Sequence, residues 1–137
     1  MKLELNFHQS GVIPYRIKGK KKIEVLLITT VKRKRWIIPK GYVEFNLTAF
    51  ESAKKEALEE AGVMGSNETF ELGEFIIQKS YGKCFLKIFS MEVIEELDDY
   101  PEKFKRSRKW FGLDEAAEKI VVPEIADMIY SLKQKLD

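Results

Sequence analysis

The hydrophobic and polar positions change their period several times along the chain, which predicts strands mixed with helices. Six segments are rich in β-branched and aromatic residues or alternate between apolar and polar positions, as strands do. These segments are 3–17, 23–30, 36–39, 70–80, 83–94 and 109–113. Segment 3–17 reads as one or two extended stretches, in which Pro14 limits pairing with a neighbouring strand. The apolar segment 23–30, "IEVLLITT", is predicted to be a buried strand.

Three other segments carry helix signals. Thr48 and Glu51 form an S/T-x-x-E capping box, and Gly62 closes the helix that follows. The segment 113–120, "LDEAAEKI", predicts a short helix, and Pro123 opens a final one. The apolar positions of this last helix recur at helical spacing; they are Ile125, Met128, Ile129 and Leu132. The whole pattern predicts an α/β or α+β sandwich with a mixed sheet between helices.

Length and composition predict one soluble globular domain over residues 1–137. Hydrophobic residues make up 45% of the chain and aromatic residues 12%, which is too apolar for a disordered chain. The single cysteine, Cys84, and the single histidine, His8, exclude an intramolecular disulfide and a zinc site built from several such ligands. No apolar run approaches 18 residues and the first residues lack a signal-peptide core, so we expect a cytoplasmic protein without a membrane partner.

The formal net charge is only +2, yet basic residues are clustered in three places. The clusters are 18–22 ("KGKKK"), 32–35 ("KRKR") and 103–109 ("KFKRSRK"). Such clusters favour anionic ligands, and they also occur as ordinary solvated loops.

Three glutamates fall close together on the predicted central helix. At ~100° per residue, Glu59 lies near −60° and Glu60 near +40° from Glu56, so the three carboxylates share an arc of about 100°. Small and aromatic residues border that arc and can pack the helix closely on a sheet; they are Phe50, Ala53, Ala57 and Ala61.

Clustered carboxylates of this kind repel one another unless a cation neutralises them. Mg²⁺ is the natural candidate, because it takes oxygen ligands and helps to offset charge on a phosphate under attack. The alternative is a solvated helix with local ion pairs such as Glu51–Lys55 and Lys55–Glu59.

From Gly41 to Val63 the sequence resembles the Nudix box, G-x5-E-x7-R-E-U-x-E-E-x-G-U, where U is aliphatic. The positions that match in register are Gly41, Glu56, Glu59, Glu60, Gly62 and Val63. The preceding "WIIPKG" and Glu44 are also familiar in this family. Two positions depart from the box, because Leu47 replaces its first glutamate and Lys55 its arginine. Lysine keeps the charge but loses the planar fork of arginine.

The resemblance implies an α/β/α sandwich and hydrolysis of a nucleoside diphosphate derivative or a related pyrophosphate with Mg²⁺ or Mn²⁺. It implies that Glu56, Glu59 and Glu60 bind the metal, assisted by the carbonyl of Gly41. One of these glutamates, or a residue outside the box, would be the base for the attacking water. Lys55 would take the place of the arginine that helps to orient the catalytic glutamate.

Flanking segments are similar to those of diadenosine polyphosphate and diphosphoinositol polyphosphate hydrolases. These segments are 10–16, 35–39, 59–65 and 105–116. A substrate with several phosphates would explain basic clusters on an almost neutral protein. Our candidates for phosphate contacts are Arg35, Lys40, Arg106 and Arg108, followed by Arg16 and Lys83. The alternative for each of these residues is an exposed charge that only keeps the protein soluble. Trp36 and Trp110 either stack a base or pack at the edge of the core.

Three functions therefore compete. The first is a metal-dependent pyrophosphohydrolase acting on a small phosphoanhydride substrate. The second is a Nudix-fold module that binds a polyphosphate or nucleotide and hydrolyses it poorly, because of Leu47 and Lys55. The third is a basic surface for RNA, which is disfavoured except for a 5′-phosphorylated RNA end because no stacked-aromatic RNA-binding motif is present. The sequence is compatible with a monomer or a homodimer.

Overall fold

The structure, a computed structural model, describes residues 5–136 as eight strands and three helices. In chain order they are β1 (Leu5–Lys18), β2 (Lys22–Thr29), β3 (Trp36–Ile37), β4 (Lys40–Tyr42), α1 (Ala49–Ala61), β5 (Val63–Gly65), β6 (Glu71–Lys79), β7 (Gly82–Glu96), β8 (Arg108–Gly112), α2 (Leu113–Lys119) and α3 (Pro123–Lys135). Within this part of the chain, no helix has the length and apolar character needed to cross a membrane.

The strands form one mixed sheet. Its main path runs β3–β2–β1–β7–β5, while β4 pairs with β1, β6 with β7 and β8 with β2. The central pair β1–β7 is parallel, and the pairs around it are antiparallel. The combination of parallel and antiparallel neighbours confirms the predicted mixed sheet.

Each face of the sheet buries a separate apolar cluster. On one face, Ala53, Ala57 and Ala61 of α1 pack against strand residues such as Val12 and Leu26. The other face carries a larger cluster that includes residues of β1, β2 and β7 and is covered by α2 and α3. Helices thus cover both faces, which confirms the predicted α/β/α sandwich.

Helix α1 has the ends that its sequence predicts. Thr48 Oγ1 accepts from Glu51 N at 3.1 Å, and Glu51 Oε1 accepts from Thr48 N at 2.9 Å, which completes the capping box. Gly62 follows the helix in the left-handed conformation at φ 67°, a conformation that glycine adopts without steric cost. These signals set the start and end of the helix that carries the three glutamates.

Most predicted elements are present. The predicted extended segment 3–17 corresponds to one strand, β1, except that residues 3–4 lie outside the described residues. Pro14 marks the point where the antiparallel partner of β1 changes, since β4 pairs with Gln9–Gly11 and β2 pairs from Tyr15 onwards. Strands β4 and β5 were not predicted, because each has only three residues and no alternating pattern.

Candidate active site

Gly41 and Glu56 bring strand β4 and helix α1 into direct contact. A Cβ atom built on Gly41 would lie 2.6 Å from Glu56 Oε1 and 2.8 Å from Glu56 Cγ. Any side chain at position 41 would therefore displace the Glu56 carboxyl group. Gly41 and Glu56, the first of the three clustered glutamates, therefore form one site, as the spacing of the box suggests.

Glu60 lies beside Glu56 and is buried, with only 6% of its surface exposed. Burial, followed by a hydrogen bond with Glu56, raises the pKa of Glu60 to about 9. The nearby guanidinium of Arg106 acts in the opposite direction but does not cancel these effects. Glu60 therefore holds a proton at neutral pH when no cation is bound.

Glu59 does not join this pair. Within residues 5–136, no group of three or more His, Cys, Asp and Glu side chains lies close enough together to hold a metal ion. The donors that are together, two carboxyl groups and the adjoining Gly41 backbone, are oxygen donors of the kind that hard divalent cations take. The proton that Glu60 retains shows that the two carboxyl groups need a positive charge between them, which a divalent cation can supply in its place.

Lys55 has an acidic partner that the sequence did not identify. Its Nζ lies 3.0 Å from both carboxylate oxygens of Glu44, and this contact raises the pKa of Lys55. The Glu51 carboxylate, which the alternative of a solvated helix would pair with Lys55, instead accepts from Thr48 N in the capping box. Leu47 thus replaces the box glutamate without leaving Lys55 unpaired, since Glu44 lies three residues earlier.

Arg106 lies next to the carboxyl pair. Its Nε donates to Glu102 Oε1 at 3.0 Å and its NH1 donates to the Thr29 carbonyl at 3.1 Å. Glu102 N in turn donates to the Glu59 carbonyl at 2.9 Å, which joins this loop to α1. Arg106 is therefore held close to Glu60 by contacts with Glu102 and Thr29.

The exposed residue Arg35 is in a loop close to Arg106. Its backbone amide donates to Thr30 Oγ1 at 3.0 Å, which closes the loop after β2. Thr29, the last residue of β2, accepts from Ser107 N through its own Oγ1 at 2.9 Å. The basic clusters 32–35 and 103–109 are therefore neighbours at one end of β2.

Two other candidate cations have partners within the protein. Arg108 NH1 donates to the Ala61 carbonyl at 2.9 Å and its NH2 donates to the Leu97 carbonyl at 2.7 Å, so it binds the C-terminal end of α1. Arg16 Nε donates to Glu24 Oε1 at 2.8 Å, and this contact lowers the pKa of Glu24. No sequence pattern signalled these contacts, because each joins residues from different elements.

The remaining candidates lie on strands. Lys40 on β4 has its Nζ 3.4 Å from Gln9 Oε1, and Lys83 on β7 is half-buried opposite Asn6 of β1. The tryptophans pack, as one of the two interpretations proposed. Trp36 meets Phe111 edge-on at 5.0 Å, and the Trp110 ring lies 4.0 Å from the Arg16 guanidinium.

Two cavities lie away from the carboxyl pair. One, of about 520 Å³, is lined by residues of β1, β2 and the α2–α3 layer, including Ile17, Leu113 and Lys133. The other, of about 430 Å³, lies beside Tyr15 and Phe70. Neither of these two cavities is lined by the three glutamates.

Sequence comparison assigns the chain to a family. The family model of the NUDIX domain matches residues 8–132. The chain belongs to the Nudix family. Among curated relatives from Arabidopsis thaliana, Nudix hydrolase 12, mitochondrial, is 36% identical over 80% of this chain, and Nudix hydrolase 18, mitochondrial, is 40% identical over 77%. The alignments cover 64% of each of these relatives, so the chain spans less than two thirds of their length.

Solved structures share the same fold. The binary complex of a C. elegans Ap4A hydrolase superposes with a TM-score of 0.76 at 19% identity, covering 95% of this chain and 97% of that one. The NUDIX domain of Shewanella oneidensis NrtR, complexed with ADP ribose, gives a TM-score of 0.75 at 11% identity, covering 98% and 91%. These similarities establish that the architecture is the Nudix fold.

Proposed function

We propose that this protein is a divalent-cation-dependent pyrophosphohydrolase. Its substrate class is a nucleoside polyphosphate, a dinucleoside polyphosphate or a diphosphoinositol-type compound, and its cation is Mg²⁺ or Mn²⁺. The observation that carries the proposal is the pair of carboxyl groups on α1, Glu56 and Glu60, held against Gly41 with a retained proton. The names of the relatives support it, since the Arabidopsis proteins are named hydrolases and a structural neighbour is named an Ap4A hydrolase.

The bound cation would supply positive charge that offsets the charge of the phosphoanhydride under attack. Glu56, Glu60 and the Gly41 carbonyl are the groups of this chain that would hold it, with Glu59 as a further ligand. One of the three glutamates in its deprotonated form, or a residue outside the box, would accept a proton from the attacking water.

Positively charged side chains around the pair would bind and orient the substrate. Arg106 is already beside Glu60 and is held by Glu102 and Thr29, so its guanidinium is oriented before a phosphate arrives. Arg35 would extend the contact along a phosphate chain, whereas the Lys40 side chain contacts Gln9 on the other face of the sheet. Lys55 would act indirectly, by keeping the loop that contains Glu44 against α1.

A phosphate-release panel tests this function. The purified protein would be incubated with Mg²⁺, Mn²⁺ or Ca²⁺ and with dinucleoside polyphosphates, diphosphoinositol phosphates, nucleoside triphosphates, nucleotide sugars and 5′-triphosphorylated RNA. We expect release from at least one phosphoanhydride with Mg²⁺ or Mn²⁺, little with Ca²⁺, and a loss of roughly 100-fold or more in Glu56→Gln. Absence of release from the whole panel would contradict hydrolysis.

The second candidate is a module that binds a polyphosphate or nucleotide with weak or no hydrolysis. The specific observation in its favour is Leu47, which cannot bind a cation or act as a base at the first glutamate of the box. Calorimetric titration with the same panel separates the candidates, since a binding module would give micromolar binding without phosphate release. The cytoplasmic location and the monomeric or homodimeric state stay predictions, testable by imaging a tagged chain and by light scattering.

A further inference from the structure

The hydroxyl of Ser10 is fully buried, and it has no hydrogen-bond partner in the described part of the protein. Other buried hydroxyls do have partners. Ser52 Oγ accepts from Glu44 N at 3.0 Å, and Ser90 Oγ accepts from Phe70 N at 2.8 Å. A buried hydroxyl without a partner destabilises a protein, so Ser10 has an unused donor and acceptor that a water or a ligand can satisfy.

Ser10 lies at the position on β1 that adjoins the candidate cation site. It is directly opposite Gly41 in the antiparallel pairing of β1 with β4. Side chains alternate along a strand, so Ser10 shares its face with Val12, which packs in the cluster covered by α1. A Cβ on Gly41 would meet the Glu56 carboxyl group. The Ser10 hydroxyl and the Glu56 carboxyl therefore lie over neighbouring positions on one face of the sheet.

The residues on either side of Ser10 in the sheet leave its hydroxyl unpaired. On β4 its neighbour is Gly41, which has no side chain. On β7 its neighbour is Lys87, whose Nζ lies 3.6 Å from Glu71 Oε1 and so has another partner. The Ser10 hydroxyl can both donate and accept a hydrogen bond.

We propose that the Ser10 hydroxyl is a hydrogen-bonding group of the cation site, where it contacts a water of the hydrated divalent cation held by Glu56 and Glu60. The proposal rests on the cation site of the proposed function. Mg²⁺ and Mn²⁺ are hard cations, and Mg²⁺ in particular keeps several of its waters in protein sites. Hydrogen bonds to groups outside the ligand set hold such a site in place and contribute to its affinity.

Mn²⁺ binding to the metal-free full chain tests the proposal, with free Mn²⁺ measured by electron paramagnetic resonance. The variants are Ser10→Ala and Ser10→Cys, which remove or weaken the hydrogen bond at nearly constant volume. Ser90→Ala is the matched control, because Ser90 is also buried on a strand but its hydroxyl has a protein partner. Glu56→Gln marks binding at the proposed site. The melting temperature of each metal-free variant is measured alongside.

We expect both Ser10 variants to weaken Mn²⁺ binding by roughly tenfold while the melting temperature of Ser10→Ala does not fall. Ser90→Ala should do the reverse, with unchanged Mn²⁺ affinity and a melting temperature lower by about 5 °C. Unchanged Mn²⁺ affinity in Ser10→Ala, or a drop in its melting temperature as large as that of Ser90→Ala, overturns the role of Ser10. If the wild type binds no Mn²⁺, or Glu56→Gln leaves binding intact, the proposed cation site itself fails.

Discussion

At the residue scale, the burial of Glu60 makes the stability of the metal-free protein depend on pH. The pKa of Glu60 is about 9 in the folded protein, against an ordinary value of 4.5. Between these values the folded state holds a proton that the unfolded state has released. The contribution of this proton to the free energy of unfolding is therefore complete below about pH 4.5 and is lost as the pH rises through about 9. Between these pH values the free energy of unfolding falls by up to about 1.4 kcal/mol per pH unit.

We expect the free energy of unfolding, measured by urea denaturation without divalent cations, to fall as the pH rises from about 5 to about 9. Glu60→Gln should flatten that slope, because glutamine resembles the protonated acid and does not titrate. The exposed Glu118→Gln is the control and should leave the slope as it is. A wild-type slope that matches the Glu60→Gln slope would mean that Glu60 ionises normally in the folded protein.

Glu44 and Lys55 form a pair that can be tested by a double-mutant cycle. Their contact is exposed, so Glu44→Gln and Lys55→Gln should each change the free energy of unfolding by less than about 1 kcal/mol. Both should lower kcat/KM, because the pair keeps the loop between β4 and α1 in place, and the double variant should lose less than the sum of the two. Additive losses would show that Glu44 is not the functional partner of Lys55.

At the element scale, Gly41 allows strand β4 and helix α1 to approach closely. Gly41→Ala would place a methyl group against the Glu56 carboxyl and force it to move. We expect a loss of Mn²⁺ affinity and kcat of roughly tenfold or more, in line with other displaced metal ligands. Gly112→Ala is the control, because a Cβ at Gly112 meets no atom within 4 Å. Equal activity in the two variants would contradict the placement of Glu56.

Arg108 provides a second test at this scale, since it was expected to contact phosphate but binds the end of α1. Arg108→Met removes charged hydrogen bonds to the Ala61 and Leu97 carbonyls. We expect the free energy of unfolding to fall by about 1.5–3 kcal/mol, measured by chemical denaturation. KM should change by less than about twofold, because the guanidinium is engaged within the protein. A large rise in KM with unchanged stability would restore the phosphate role.

The elements that the sequence predicted are those with local signals. The capping box Thr48–Glu51, the stop at Gly62 and the helix-opening Pro123 act within a few residues, so the sequence displays them directly. Strand β4 and the contacts of Glu44 and Arg108 depend on residues that are distant in sequence, which no single-chain pattern displays. The same distinction between local and distant signals applies to the candidate site. The spacing of Glu56 and Glu60 was predictable from the sequence, but the burial of Glu60 and Ser10 was not.

At the scale of the whole molecule, charge is unevenly placed on an almost neutral protein. The basic clusters 32–35 and 103–109 meet at the end of β2, next to the carboxyl pair, through contacts of Thr29 with Ser107 and Arg106. The cluster 18–22 lies at the other end of β2, in the turn after β1. The clusters 32–35 and 103–109 therefore lie nearer to the carboxyl pair than the cluster 18–22 does, although all three are similarly basic.

This placement predicts a dependence on the length of the phosphate chain. Arg35→Gln should raise KM for a tetra- or pentaphosphate-bridged substrate several-fold more than for a nucleoside diphosphate sugar, because only the longer chain extends to the loop after β2. Added salt should reproduce part of that loss, since Arg35 is exposed and its charge is screened. Lys20→Gln removes the same charge at the far end of β2 and is the matched control. Equal effects of the two variants on every substrate would leave the basic loops as solubilising surface and would remove the support for a polyphosphate substrate.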